Sequence, residues 1–251
     1  MLDLILIGIG TGNPDHLTRQ AVKALNGADL ILIPYKGSEK ADLAALRREI
    51  CDDILTSPTP IEEFKLPVRD PAIEDYIDRV NQWHDAIAQC WLSAMDAHPT
   101  ATRVALLVWG DPSLYDSTLR IAHRVNEKRA TQVEVIPGIT SMQGLTAAHR
   151  IPLNALGGPF TVTTGRQLRD HGWPQGVDRL VVMLDGDCAF QTLDPAGIHI
   201  WWGGFVGMEN EVIRSGPLAE ISQDIIDTRA GAKSDHGWIM DIYILDRAPQ
   251  T

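Results

Sequence analysis

The chain lacks an excess of basic residues. Its 251 residues include 22 Lys and Arg against 33 Asp and Glu, so the formal net charge at pH 7 is −11. Non-specific contacts with nucleic acid or with an anionic membrane surface depend on a basic face, and we therefore expect neither partner. An anionic small molecule is still compatible with this charge, provided that cationic side chains cluster locally.

Cysteines and long apolar runs are also scarce. The three cysteines, Cys51, Cys90 and Cys188, are widely spaced, which argues against a disulfide framework and against a zinc site, so no metal is predicted. The longest apolar runs, such as residues 4–9 and 180–184, are far shorter than the roughly 20 residues of a membrane span. No cationic segment typical of a signal peptide precedes the first of them. We expect a cytoplasmic globular protein.

The first strand of the chain runs into a glycine-rich loop. A continuous apolar run over residues 4–7 is typical of a strand covered on both faces of a parallel sheet, and residues 8–15 (GIGTGNPD) separate it from a helical pattern over 17–28. In a dinucleotide fingerprint the third glycine follows the second by three residues, whereas here it follows by two. The strand predicted at 30–33 also ends without the acidic residue that would hold a ribose. A nicotinamide-dependent oxidoreductase is thus a disfavoured alternative.

Two further loops follow predicted strands. Residues 106–115 (LLVWGDPSLY) are apolar up to Gly110, and residues 137–141 (PGITS) follow a strand at 133–136. Gly110 lets a ligand approach the backbone, and Asp111 supplies a carboxylate. In an open α/β sheet, ligands bind at the carboxyl ends of the strands, where these loops lie. Each loop taken alone is equally compatible with an ordinary turn or a helix N-cap.

The segments between these loops predict helices and one extended connection. Residues 39–50 form a short amphipathic pattern that leaves Arg47 in solvent, and the proline-rich residues 51–71 indicate an extended connection. A long apolar stripe predicts a core helix over 73–95, with His84 as a surface or hydrogen-bonded histidine.

The pattern restarts after a Pro- and Gly-rich linker at residues 151–159. A helix is predicted at 218–228, and strands at 160–164, 179–184, 199–202 and 238–245. The fold class is therefore α/β with two α/β domains. We expect an N-terminal domain over 1–155 with a parallel sheet, a C-terminal domain over 156–251 with a mixed sheet, and the active site in the cleft between them.

Three segments, in this order, resemble the motifs of the tetrapyrrole (corrin/porphyrin) methyltransferase family. They are residues 8–18 (GIGTGNPDHLT), 110–115 (GDPSLY) and 137–141 (PGITS). These S-adenosylmethionine-dependent enzymes methylate corrin and sirohaem precursors, and the resemblance spans nearly the whole chain. It implies the two-domain fold of that family, S-adenosylmethionine as cofactor with S-adenosylhomocysteine as product, a polyanionic tetrapyrrole substrate and a homodimer.

Carried over position by position, the resemblance implies a set of cofactor-binding residues. They are Thr11, Gly110, Asp111, Leu114, Thr140, Ser141, Leu184, Gly203 and Gly204. The chain departs from the family at three places. Asn13 stands where Asp is usual, Thr11 where Pro is common, and Met183-Leu184 where the family has Tyr-Met.

Three further segments resemble a deacetylating branch of the family. They are residues 36–51, the insertion before Arg103 and residues 201–203 (WWG). That branch converts precorrin-5 to precorrin-6A in cobalamin biosynthesis by methylating carbon 1 and releasing acetate. Methyl transfer depends mainly on positioning, whereas acetate release needs a group that assists the attacking water. The candidate catalytic residues are Asp15 and His16. The candidates for binding substrate carboxylates are Lys36, Lys40, Arg166 and Arg169.

Two alternatives stay open beside the oxidoreductase. The chain could methylate another ring position of a tetrapyrrole, or it could be a non-catalytic module that senses a nucleotide. The products of turnover distinguish the first alternative, and the absence of turnover distinguishes the second.

Overall fold

The computed structural model describes residues 2–36 and 41–247. The chain divides into two compact units, Met1–Thr140 and Ser141–Thr251. The described part of the first unit alternates strands and helices. In chain order its elements are β1 (Leu2–Gly8), α1 (Arg19–Asn26), β2 (Leu30–Tyr35), α2 (Ala41–Ile54), β3 (Ile61–Lys65), α3 (Tyr76–Asp96), β4 (Arg103–Val108), α4 (Thr118–Lys128) and β5 (Thr131–Ile136).

The strands of the first unit form one parallel sheet in the order β3-β2-β4-β1-β5. Successive residues of β1 point to opposite faces, and both faces are covered. Leu4 and Leu6 pack with α3 and α4, whereas Ile5 and Ile7 pack with α1 and α2. Burial on both sides explains why the strand is continuously apolar, and the predicted parallel sheet is confirmed.

The helices that follow the neighbouring strands β1 and β4 lie on opposite faces of the sheet. The connection from β1 passes to β2 through α1 on one face, and the connection from β4 passes to β5 through α4 on the other. Because β1 and β4 are neighbours, their carboxyl ends form a topological switch point. Ligands of open α/β sheets bind at such points.

The second unit contains a mixed sheet, as predicted. Its described elements are α5 (Ser141–His149), β6 (Thr161–Thr164), α6 (Gly165–His171), β7 (Arg179–Met183), β8 (Ile198–Gly204), β9 (Val212–Pro217), α7 (Leu218–His236) and β10 (Asp241–Arg247). The strand order is β6-β7-β10-β8-β9, with β6 and β7 parallel and the other neighbours antiparallel.

Helix α5 belongs to the second unit by its packing, since Leu145 lies in one core cluster with Val181 and Ile244. Its residues fall within the predicted N-terminal domain, 1–155. The domain bounds 1–155 and 156–251 otherwise stay a prediction.

Three elements were not predicted. Strand β3 lies within residues 51–71, which we expected to be an extended connection, and β9 precedes α7 in a segment for which no strand was predicted. Both are edge strands, where charged residues and proline are tolerated because one side of the strand forms no ladder. Helix α6 has only seven residues, too few to show a helical period.

Helix α3 differs from the prediction at two places. Tyr76 and Ile77, which we expected in the core, are 49% and 67% exposed. His84, in contrast, is buried, and its Nε2 has no hydrogen-bond partner in the described part of the chain. Burial, reinforced by the nearby arginines, lowers the pKa of His84 below its usual value, so the ring is neutral at pH 7. None of the helices within residues 2–36 and 41–247 has the length and apolarity needed to cross a bilayer.

A buried ion pair stabilises the second unit. Arg229 Nε lies 2.9 Å from Asp241 Oδ2, and the two side chains are only 12% and 6% exposed. Trp202 Nε1 donates to the same carboxylate at 3.0 Å. An exposed ion pair in the first unit, between Arg124 and Asp85, can be compared with this buried pair. The Asp85 side chain is 57% exposed.

We expect Asp241→Asn to lower the free energy of unfolding by about 3–5 kcal/mol, because the Arg229 guanidinium then stays buried without its counter-charge. Asp85→Asn should change it by no more than about 1 kcal/mol, because water screens the exposed pair. Urea denaturation of both variants beside the wild type measures the difference. Equal losses in the two variants would contradict the assignment of a buried pair.

Candidate functional site

The loops that follow β1, β4 and β5 are joined to one another by hydrogen bonds. Gly110 N donates to Gly10 O at 2.7 Å, and Gly10 N donates back to Gly110 O at 3.3 Å. Asp111 Oδ2 accepts from Gly138 N at 3.0 Å, which ties the β4 loop to the β5 loop. The three motifs found in the sequence therefore meet at the switch point of the sheet.

Two glycines, Gly8 and Gly138, allow these loops to approach closely, and a third, Gly110, leaves room for a ligand. A Cβ on Gly138 would lie 2.0 Å from Gly110 O, and a Cβ on Gly8 would lie 2.6 Å from Gly138 N. Gly110 has a φ of +60°, and among the described residues other than its chain neighbours the nearest atom to its missing Cβ is Thr140 Cα, at 3.8 Å. Gly8 and Gly138 are thus required by packing, whereas Gly110 faces open space.

Asp111 is an ionised carboxylate with three internal donors. Its Oδ1 accepts from the Ser113 backbone N–H at 2.8 Å and from the Ser113 hydroxyl, and Oδ2 accepts from Gly138 N. Partial burial raises the pKa of Asp111, but these hydrogen bonds outweigh it, so the pKa lies below its ordinary value of 3.8. A carboxylate offers about four acceptor positions, so the donors in the described part of the chain leave one position for a ligand donor.

The β1 loop carries the two candidate catalytic residues on one short 3-10 turn, Pro14–His16. Asn13 Oδ1 accepts from Asp15 N at 2.9 Å, so an amide oxygen caps this turn where the family usually has a carboxylate. His16 Nδ1 lies 2.8 Å from the hydroxyl oxygen of the buried Thr11. The His16 ring is therefore oriented, while the Asp15 carboxylate is exposed.

Arg47 was predicted to lie in solvent, and this prediction was wrong. The side chain is 8% exposed, and its Nε donates to Leu107 O at 3.1 Å and Nη1 to Leu43 O at 3.0 Å. The guanidinium lies 5.4 Å from the centre of the Trp109 ring. Burial lowers the pKa of Arg47 to about 10, so it keeps its charge at pH 7. Its position four residues after Leu43, on the apolar side of α2, was the signal that the sequence analysis missed.

The described candidate substrate-binding cations belong to both units. Lys36 is exposed at the end of β2, and Arg166 is exposed on α6. Arg169 is exposed on the same helix, and its Nη1 lies 3.0 Å from Asp187 Oδ2. Lys40 lies outside the described residues. Within those residues no group of three or more His, Cys, Asp or Glu side chains could hold a metal ion.

In the second unit, Leu184 has features expected of a ligand contact. It directly follows β7, has a φ of +53° and is 65% exposed. An apolar residue held in the left-handed region is uncommon, and such residues concentrate at functional sites. Gly203 differs, because a Cβ there would lie 2.5 Å from Val206 Cγ1, so packing alone requires this glycine. Gly204 is buried beside it, and Ser141 begins α5.

Residues 3–222 match the family of tetrapyrrole (corrin/porphyrin) methylases. The chain belongs to this family. Among curated proteins it is 46% identical over 250 residues to a precorrin-6A synthase [deacetylating] of Sinorhizobium sp, with 98% of this chain and 95% of the relative covered. A precorrin-2 C(20)-methyltransferase of the same source is 33% identical over 60% of this chain and 59% of its own length.

Solved structures show the same fold. A putative cobalamin synthesis related protein (CobF) from Corynebacterium diphtheriae superposes with a TM-score of 0.84 at 39% identity, covering 98% of this chain and 99% of that protein. A uroporphyrin-III C-methyltransferase from Thermus thermophilus, solved with S-adenosylhomocysteine, has a TM-score of 0.59 at 21% identity and covers 97% of this chain and 92% of its own. The family assignment counts against the nicotinamide-dependent alternative.

Gly138→Ala tests the close approach of the loops. Because the new Cβ would meet Gly110 O at 2.0 Å, the loops must shift, and we expect the free energy of unfolding to fall by about 1–3 kcal/mol. Gly231→Ala in α7 is the control, since nothing lies within 4 Å of its Cβ, and alanine in a helix should raise stability by up to about 1 kcal/mol. A Gly138→Ala protein as stable as this control would contradict the packing described here.

Proposed function

We propose that the chain is an S-adenosylmethionine-dependent C-methyltransferase of cobalamin biosynthesis that converts precorrin-5 to precorrin-6A. In this reaction carbon 1 gains a methyl group and acetate is released. The observation that carries the proposal is the 46% identity, over 98% of the chain, to a precorrin-6A synthase [deacetylating]. The likeness to CobF over nearly the full length of both chains supports it.

The residues at the switch point fit the cofactor that the family uses. Gly110 leaves its backbone accessible, and Asp111 keeps one acceptor position for a hydroxyl or ammonium donor. When bound, S-adenosylmethionine supplies a methyl carbon activated by the adjacent sulfonium. The proposed contacts in the first unit are Thr11, Gly110, Asp111, Leu114 and Thr140. Those in the second unit are Ser141, Leu184, Gly203 and Gly204.

Rigid loops suit a methyl transfer because alignment of the reacting atoms contributes most of the rate. The hydrogen bonds between Gly10 and Gly110, and between Asp111 and Gly138, hold the loop backbones together. The protein therefore needs little reorganisation at this edge of the sheet. No nucleophilic side chain is required for this half of the reaction.

Release of acetate requires a group that accepts a proton from water as it attacks the acetyl carbon. The bond from the acetyl carbon to the macrocycle then breaks, and its electron pair stays on the macrocycle. We propose that His16 and Asp15 assist this step. If His16 Nδ1 donates its hydrogen to Thr11 Oγ1, the other ring nitrogen is left unprotonated and can accept the proton. The exposed Asp15 lies on the same turn and would stabilise the resulting imidazolium.

A substrate with many carboxylates requires cationic partners in this acidic chain. Lys36, Lys40, Arg166 and Arg169 are proposed for this role. Arg169 already binds Asp187, so a substrate carboxylate would have to replace that partner. A homodimer and a cytoplasmic location complete the proposal.

Cofactor binding should depend on the open space beside Gly110. Gly110→Ala is expected to weaken binding of S-adenosylhomocysteine about tenfold or more, because the new methyl group occupies that space. Gly157→Ala is a matched control, since its φ of +66° gives nearly the same backbone strain and nothing lies within 4 Å of its Cβ. Calorimetry measures both affinities. Tight binding of NADH and none of S-adenosylhomocysteine by the wild type would refute the assignment.

The complete reaction is tested with precorrin-5 and methyl-labelled S-adenosylmethionine. We expect one methyl group gained and one acetate released per turnover, measured by mass spectrometry. Asp15→Asn and His16→Ala should slow acetate release by about 10²–10⁴. If methylation comes first, a methylated intermediate should then accumulate, because methyl transfer does not need the proton acceptor. His123→Ala, on the exposed side of α4, serves as the control. Methylation without any acetate would indicate a family member that acts at another ring position.

A further inference from the structure

The conformation of Leu184 needs an explanation, because a leucine with a φ of +53° and 65% exposure is unfavourable in two ways. The left-handed backbone region is strained for a residue with a Cβ, and the exposed side chain gains nothing from burial. Such a conformation persists only where the surrounding structure leaves the backbone little choice.

The next residue, Asp185, provides that constraint. Its side chain is buried, and its carboxylate accepts from Asp187 N at 3.1 Å and from Ala189 N at 2.6 Å, which fixes the turn after β7. The start of α6 packs directly against this carboxylate. A Cβ on Gly165 would lie 2.3 Å from Asp185 Cγ, so only glycine fits there.

Tyr243 supplies the third hydrogen bond to this carboxylate. It lies opposite Val182 in the neighbouring strand β10, and its hydroxyl donates to Asp185 Oδ2 at 2.6 Å. The tyrosine is buried, with its ring edge-on to Phe190. Burial and the nearby negative charge of Asp185 hold the pKa of Tyr243 well above its ordinary value, so the hydroxyl keeps the proton that it donates.

The backbone of the turn is held from a second side. Arg229 Nη2 donates to Asp185 O at 3.0 Å, and the ion pair with Asp241 fixes this guanidinium. Both the side chain and the carbonyl of Asp185 are therefore anchored to elements other than β7.

From this geometry we propose that Tyr243 is a positioning residue of the cofactor site: through the Asp185 carboxylate it holds Leu184 in its strained, exposed conformation. The inference rests on the proposed function, in which Leu184 contacts the cofactor. It adds that Tyr243, which lies in the core and touches no ligand itself, sets the cofactor affinity. Without its hydroxyl, Asp185 loses one of its anchors, and the backbone at Leu184 can relax toward ordinary φ values.

The variant Tyr243→Phe removes the hydroxyl and keeps the ring that packs on Phe190. If the competent conformation of Leu184 falls to about a tenth of the population, the apparent Kd for S-adenosylhomocysteine rises about tenfold. Asp246→Asn is the matched control. Asp246 lies at the opposite end of β10 and pairs with Arg179, whose side chain is 13% exposed. This substitution therefore lowers the free energy of unfolding and leaves the turn after β7 unchanged.

We expect calorimetry to show the weakened binding of S-adenosylhomocysteine in Tyr243→Phe alone. In methyl-labelled protein without ligand, the Leu184 methyl signals should shift or broaden in Tyr243→Phe and stay unchanged in Asp246→Asn. Asp185→Asn, which also disrupts the hydrogen bonds of this carboxylate, is the second variant and should reproduce both effects if Tyr243→Phe does not fold.

Unchanged affinity and unchanged Leu184 signals in a less stable Tyr243→Phe protein would overturn the proposal and leave Tyr243 with a structural role only. Equal loss of affinity in Asp246→Asn would overturn it as well. A wild-type protein that bound no S-adenosylhomocysteine would refute the proposed function instead, and the Leu184 signals would still decide whether Tyr243 controls this conformation.

Discussion

At Gly8 and Gly138 the backbones of neighbouring loops approach more closely than any side chain would allow. A Cβ on Gly138 would lie 2.0 Å from a carbonyl oxygen, which no rotamer change could relieve. This contact brings together the carboxyl ends of three adjacent parallel strands, and the Asp111 carboxylate then joins the loops through Gly138 N. The candidate site of the first unit depends on this arrangement.

Buried charges show a second constraint. Arg47 loses most of its hydration and gains two carbonyl acceptors, whereas Arg229 is matched by Asp241. The buried Asp185 carboxylate accepts hydrogen bonds from the backbone and from Tyr243, whereas Arg229 donates to the carbonyl oxygen of the same residue. Buried charges are tolerated when their hydrogen-bonding capacity is met, and each of these groups lies beside a segment that the proposed function uses.

The sequence predicts the parts of the fold whose signal is local. Continuous apolar runs identified β1, β2 and β4, because burial on both faces restricts the residues allowed. The motifs that contain glycine identified the loops after β1, β4 and β5, because close backbone approach restricts them too. Edge strands such as β3 carry no such restriction, since one side pairs with nothing and half of the residues face solvent. Edge strands therefore tolerate proline and charged residues, and their sequences do not show the apolar pattern that predicts a strand.

The sequence by itself determined the family, the parallel sheet of the first unit and the loops that meet at its switch point, because each depends on residue type at fixed spacing. Only the tertiary structure decided that Arg47 is buried, that Asp111 ties two loops together, and that Leu184 is strained and exposed above a carboxylate held by Tyr243. These features depend on which groups meet across distant parts of the chain. Asp185 and Tyr243 are 58 residues apart, so no local pattern could reveal their hydrogen bond.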